Sequence, residues 1–164
     1  MKWNLTKLCS IQQSLDQKIF DKFNLSYIKT FQKRKLALII ELSELANEIR
    51  FFKFWSTKPS SDKKIILDEY ADVLHFSLTF VIQFNYSPII DIGNVKKRIS
   101  DKELTSFFLK LINLAYDIHD KKTISLFLKN FLKVSSYLGF NQKEVLNAYL
   151  YKNEINIKRS NTNY

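Results

Sequence analysis

Two glycines and two prolines serve the whole 164-residue chain. An all-β domain of this length needs many tight turns, and those turns call for Gly, Pro, Asn or Asp at set positions. Long helices joined by a few loops do not. An all-α fold is therefore predicted, and an all-β one excluded, before any periodicity is read. Hydrophobic residues make up 46% and charged residues 26%, too apolar for a disordered tail. A chain of this size buries about two-thirds of its unfolded surface, so one domain over 1–164 needs no disulfide or metal staple.

Apolar residues at Leu5, Leu8, Ile11, Leu15 and Ile19 form one helical stripe over Leu5–Lys22. Asn24-Leu25-Ser26 breaks it. A second helix is predicted from Tyr27 to Trp55, bent along its length, and Lys58-Pro59-Ser60-Ser61 ends that segment. Ser61 or Asp62 caps a third helix over Asp62–Phe84, and Tyr86-Ser87-Pro88 is the next break. Ile89–Ile99 carries no clear pattern. Ser100 with Glu103 is a capping box opening a fourth helix to Ile118, and Lys121–Leu138 is a fifth, closed by Gly139. Asn141 with Glu144 opens a sixth that reaches Lys158. The expectation is a bundle of about six helices.

The net charge of +10 attracts anions such as nucleic acid, acidic membranes or phosphorylated metabolites. The excess is spread along the chain, with 13 basic residues in each half, so no nucleic-acid arm is expected. Val73–Ile90 lacks charge for 18 positions, yet His75, Gln83, Asn85 and Pro88 argue against a membrane span. The N-terminus has no signal-peptide pattern, and the lone Cys9 suits a reducing cytosol. A cytoplasmic protein that binds neither membrane nor nucleic acid is expected.

Carboxylates stand where the pattern calls for hydrophobes. The stripe Leu38, Leu42, Leu45, Ile49 and Phe52 also carries Glu41 and Glu48, while Glu44 lies between Ile40 and Phe51. In the third helix Glu69 lies among Ile65, Ile66, Val73 and Phe76, with Asp72 one turn on. Were Glu41, Glu44, Glu69 and Asp72 to converge, each pair of charges ~5 Å apart would repel by roughly 3 kcal/mol at an effective dielectric near 20. A divalent cation removes that cost. All-oxygen ligation suits Mg²⁺ or Mn²⁺, whereas Zn²⁺ asks for Cys and His. A third acidic pair, Asp117 and Asp120, stands beside Lys121 and Lys122 and is expected to be solvated surface.

Glu41-Leu42-Ser43-Glu44, followed after 24 residues by Glu69-Tyr70-Ala71-Asp72, resembles the E-x-x-E … E-x-x-D signature of all-α nucleoside triphosphate pyrophosphatases, the superfamily of MazG and dimeric dUTPases. Ala46-Asn47-Glu48-Ile49-Arg50-Phe51-Phe52-Lys53-Phe54-Trp55, Val73-Leu74-His75-Phe76 and Tyr151-Lys152-Asn153-Glu154-Ile155-Asn156-Ile157-Lys158-Arg159 are similar to elements of the dimeric dUTPase branch. Gln12-Gln13-Ser14-Leu15-Asp16 is similar to its opening element, with either Gln12 or Gln13 as the aligned glutamine and Asp16 where many relatives have Asn. Ser160 and Asn163 depart from the family's usual ending.

The resemblance implies a homodimeric dUTP diphosphatase that yields dUMP and pyrophosphate, and leaves open whether dUDP is also a substrate. It implies two or three Mg²⁺ ions, replaceable by Mn²⁺, on Glu41, Glu44, Glu69 and Asp72, with Glu44 orienting or deprotonating the attacking water. Lys53, Lys152 and Arg159 would clamp phosphate oxygens. Gln13, Asp16, Asn153 and Asn156 would meet the uracil or sugar, and Trp55 and His75 would flank the base. A MazG-type enzyme for another base is the alternative, disfavoured by the Phe-Lys-Phe-Trp and C-terminal elements. A basic nucleic-acid-binding protein would account for the +10 but leaves acids on apolar faces unexplained.

Overall fold

The computed structural model describes residues 1–162; Asn163, one of the departures from the family ending, lies outside them, as does Tyr164. The chain runs β1 (Lys2–Asn4), α1 (Thr6–Phe23), α2 (Tyr27–Ile49), α3 (Lys63–Gln83), β2 (Ile89–Asp91), α4 (Asp101–Tyr116), α5 (Lys121–Tyr137) and α6 (Gln142–Asn161). Six helices are thus present among the described residues, as the scarcity of turn formers requires. Of the three start signals read from sequence, two act as such; the third is corrected, since Asp62 stands at the N-cap of α3 but its side chain makes no capping hydrogen bond. Ser100 and Asn141 form reciprocal capping boxes with Glu103 and Glu144, and Ser26 accepts from the Lys29 amide at the start of α2. Asp120 caps α5, accepting from the Thr123 amide.

The uncharged run Val73–Ile90 is explained by α3, which lies at the centre of the bundle. Tyr70, Ala71, Val73, Leu74, Leu78, Phe80 and Val81 are buried on several of its faces, so this helix has no apolar stripe but an apolar circumference. Among the described residues no helix is long and apolar enough to cross a membrane. α2 and α6 pack along α3, and α1 closes the same side. Aromatic pairs knit the far end: Tyr70 stacks on Phe131 at 4.5 Å, and Phe131 on Phe127 at 6.0 Å. Cys9 is half-buried on α1, which pushes its thiol up to about 11 and leaves it unreactive.

Two further expectations are corrected. The second helix ends at Ile49, not at Trp55. Arg50 adopts a left-handed backbone (φ 68°), its N–H closing on the Ala46 carbonyl. Its guanidinium then holds the following loop, donating to the Lys58 carbonyl and to Ser56 Oγ. The aromatic density of 51–55 looked helical because Phe51 packs on Phe108, but no period-3.6 face continues. The second correction is a two-stranded sheet. β1 and β2 pair antiparallel, Trp3 opposite Ile90, both buried between exposed flanking residues. Three-residue strands carry too little alternation to be read from sequence.

Trp3 is 1% exposed and closes the floor of the core beside Leu5 and Leu8. Trp3→Ala is expected to cost about 3–5 kcal/mol through lost burial and a cavity. Trp3→Phe should cost less than half of that, because it keeps most of the volume and removes an indole N–H that has no partner. Urea denaturation of both variants checks the ordering.

Candidate active site

α2 and α3 pack with their acidic turns facing each other. Glu41 comes from α2, and Glu69 and Asp72 from successive turns of α3. One oxygen from each lies within 4.8 Å of the others, and all three side chains are half-buried. Glu44 is exposed at the rim, close enough to raise the pKa values of Glu41 and Glu69. It therefore does not interrupt an apolar face, as its position on the stripe predicted, because Ile40 beside it is also exposed. Burial, then the neighbouring carboxylates, pushes both Glu41 and Glu69 up to about 7. Asp72 is raised too, burial outweighing the hydrogen bond from Lys152.

That hydrogen bond belongs to a bridging ion pair. Lys152, on α6, places its ammonium 2.5 Å from Asp72 and 2.7 Å from Asp68. Burial alone would lower the lysine pKa, but the two carboxylates more than offset it and hold it above its usual value. Asp68 carries no motif signature and was not singled out from sequence.

A cleft of about 700 Å³ opens beside the acids, lined by α1, α2, α3 and α6. Glu41, Glu44, Glu69 and Asp72 stand on one wall, with Lys152, Asn156 and Arg159 from one face of α6. Deeper in, a hydrogen-bonded network joins four helices. Gln12 Nε2 donates to Asp16 Oδ1, and Tyr27 Oη donates to Asp16 Oδ2, both at 2.7 Å. Tyr149 Oη donates to Gln12 Oε1 at 2.7 Å, and His75 Nδ1 lies at the same distance from that oxygen. His75 is 5% exposed and stacks on Tyr149 with 4.0 Å between ring centroids. Burial holds its pKa down to about 3, so it is neutral.

Beyond this network lies Arg34, buried over the faces of Tyr27 and Phe80. It donates to Thr30, Thr79, the Tyr27 carbonyl and Gln83. Desolvation pulls its pKa down to about 10, although Asp16 works in the opposite direction. Sequence reading passed over Arg34. Its signal was a cation seven residues before Glu41, two turns along the same face of α2.

The other candidates divide. Gln13 is exposed; Gln12 is the residue that faces the cleft, because the α1 stripe Leu8, Leu15 places Gln12 and Asp16 inward. Asn153 is buried against the core outside the cleft lining, and its Oδ1 has no hydrogen-bond partner. Lys53 and Trp55 lie in the loop after α2 and do not reach the cleft of their own chain. Lys53 lines a separate groove with Arg50, Lys58, Lys63 and Arg98. Trp55 is 64% exposed, edge-on to Phe54, which is 94% exposed.

Three carboxylates with no sulfur or imidazole among them, half-buried and raised in pKa, suit a hard divalent cation such as Mg²⁺ or Mn²⁺. Compared with known families, the chain matches a model described as dUTPase over residues 4–164. No curated protein matches it.

An acid whose pKa is higher folded than unfolded contributes stability that is complete below the unfolded value and is lost as pH rises through the folded one. For Glu69 that window runs from the ordinary 4.5 to about 7. Glu69→Gln is therefore expected to leave the Tm of the metal-free protein unchanged about one pH unit below 4.5. At pH 8 it should raise Tm by about 2–4 °C, on the order of 1 kcal/mol after allowance for solvent screening. Calorimetry in chelator at both pH values checks the sign.

Proposed function

The chain belongs to the all-α dUTPase family and is a dUTP diphosphatase, and we propose that it hydrolyses dUTP to dUMP and pyrophosphate in the cleft between α1, α2, α3 and α6. The observation that carries this placement is the convergence of Glu41, Glu69 and Asp72 at the mouth of that cleft, opposite Lys152. With Glu44 they would hold two or three Mg²⁺ ions, with Mn²⁺ as a substitute. The ions would supply charge neutralisation on the phosphates and a more acidic water.

The chain's own residues supply the rest. Glu44, exposed at the rim, orients the attacking water and takes its proton. Lys152 and Arg159 donate charge-assisted hydrogen bonds to phosphate oxygens as negative charge shifts toward the leaving group. Asn156 stands between them along α6 and is placed to meet the sugar or a phosphate. Gln12, Asp16 and His75 form the deeper floor for the nucleoside. In Asp16 both carboxylate oxygens are engaged by Gln12 and Tyr27, so it shapes the floor by fixing the Gln12 amide. A site that binds through the α- and β-phosphates would also accept dUDP.

We further propose that the enzyme is a homodimer. Phe52, Phe54 and Trp55 project from the loop after α2, and Leu36, Ile40, Leu109 and Tyr116 are also exposed. A second copy covering this surface would carry Lys53 and Trp55 toward its partner's cleft, which gives these two motif residues a role they lack within one chain. The free Cys9 fits a cytoplasmic enzyme.

Turnover of a panel of deoxynucleoside triphosphates, with and without Mg²⁺, tests the assignment; activity confined to dUTP and abolished by chelator is the expected result. Glu44→Gln is expected to lower kcat by about 10²-fold or more with the fold and much of the nucleotide affinity retained. Near-normal turnover would remove Glu44 from the chemistry.

Uracil and thymine share a pairing edge and differ by one methyl, a difference worth only about 1–3 kcal/mol in a pocket that merely fits. A rigid wall raises it. Trp55→Ala is expected to weaken dUTP binding and narrow the ratio of kcat/KM for dUTP over dTTP, with dCTP still rejected. An unchanged ratio, or a monomer mass in light scattering, would remove Trp55 from the site.

A further inference from the structure

The ammonium of Lys152 already occupies one of the carboxylates proposed to hold metal. Its nitrogen is 2.5 Å from Asp72 Oδ2, and its side chain is 12% exposed. The same nitrogen is 2.7 Å from Asp68 Oδ2. Asp68 stands one turn before Asp72 on α3, and its carboxylate is not among the three that converge. One lysine thus bridges a proposed ligand and a carboxylate beside the ligand set.

A divalent ion and an ammonium sharing Asp72 repel each other, so loading the ion means loosening Lys152. A lysine with nothing else to hold would either cling to Asp72 or swing on its four-carbon stem into solvent. Here a second carboxylate is already within hydrogen-bond distance. Released from Asp72, the ammonium need only turn about its existing bond to Asp68. Its remaining donors then face the cleft, where a phosphate would lie.

We propose that Lys152 is a resident counter-cation which the incoming divalent ion displaces from Asp72, and that Asp68 is the positioning residue that keeps it beside the phosphate afterwards. The inference rests on the metal reading of Glu41, Glu69 and Asp72. Lys152 offsets the repulsion of the acids when no ion is bound, and Asp68 prevents that service from becoming inhibition.

The test uses the full-length, nucleotide-free protein and Mn²⁺ alone, titrated by electron paramagnetic resonance or calorimetry. Lys152→Met is expected to bind Mn²⁺ roughly tenfold more tightly than wild type, since its competitor is gone. The same variant should melt at a lower temperature in chelator at pH 8. Lys152→Gln, which can still hydrogen-bond both aspartates, provides the measurement if the methionine variant folds poorly. Asp68→Asn should weaken Mn²⁺ binding severalfold in the wild-type background and by less than about twofold in the Lys152→Met background. With dUTP it should raise KM more than it lowers kcat.

An equal effect of Asp68→Asn in both backgrounds would make Asp68 a nearby negative charge and overturn its positioning role. Mn²⁺ binding by Lys152→Met no tighter than wild type would overturn the counter-cation while leaving the metal site intact. A wild-type protein that binds no Mn²⁺ would remove the metal site and this inference together.

Discussion

Three carboxylates held within 4.8 Å of one another in a half-buried place set the terms for the bundle around them. Such a group is repelled from within and penalised by burial, and neither force favours folding. It persists because α2 and α3 are locked together by what lies behind the acids. Leu38, Leu42 and Leu45 on one helix and Val73, Leu74 and Leu78 on the other are fully buried. The apolar backs of the two helices supply the attraction that their acidic fronts oppose. α6 then contributes the compensating positive charge through Lys152, so the helix that completes the core also relieves the site.

The central position of α3 serves two ends. A helix buried around most of its circumference is a rigid support, and the same helix carries Glu69, Asp72 and His75 at successive turns. Displacing one of them means disturbing the core. His75 illustrates the coupling, since it packs on Tyr149 of α6 and meets Gln12 of α1 while lining the cleft. The cleft floor is thus continuous with the bundle's interior, and its polar network, which Tyr27 of α2 also joins, is fixed by four helices at once.

Much of this was legible in the chain because its signals are local. Capping boxes at Ser100 and Asn141 need only four residues to be recognised, and both formed as read. Glu41, Glu69 and Asp72 stood out because helical spacing put ionisable groups next to aliphatic ones, and those three came together. What escaped depended on distance along the chain. Asp68 acquires meaning only from Lys152, 84 residues later. The choice between Gln12 and Gln13 turned on a single step of α1, about 100° of rotation, which adjacent glutamines cannot report. β1 and β2 are recognisable only as a pair, since neither is long enough to show alternation. The end of α2 was obscured by aromatic residues that serve a different surface.

The order of helices along the chain has a consequence for how the protein is made. α1, α2 and α3 leave the ribosome first and can dock on one another, bringing the acids together. Lys152 and Arg159 reside on α6, which follows only after α4 and α5. Until then a nascent chain carries its acids without the cations of α6, and that wall of the cleft is missing. A divalent ion that bound such an intermediate would stabilise it. Such an ion would hold α2 against α3 before Lys152, the cation that sits on Asp72 in the finished fold, has been synthesised.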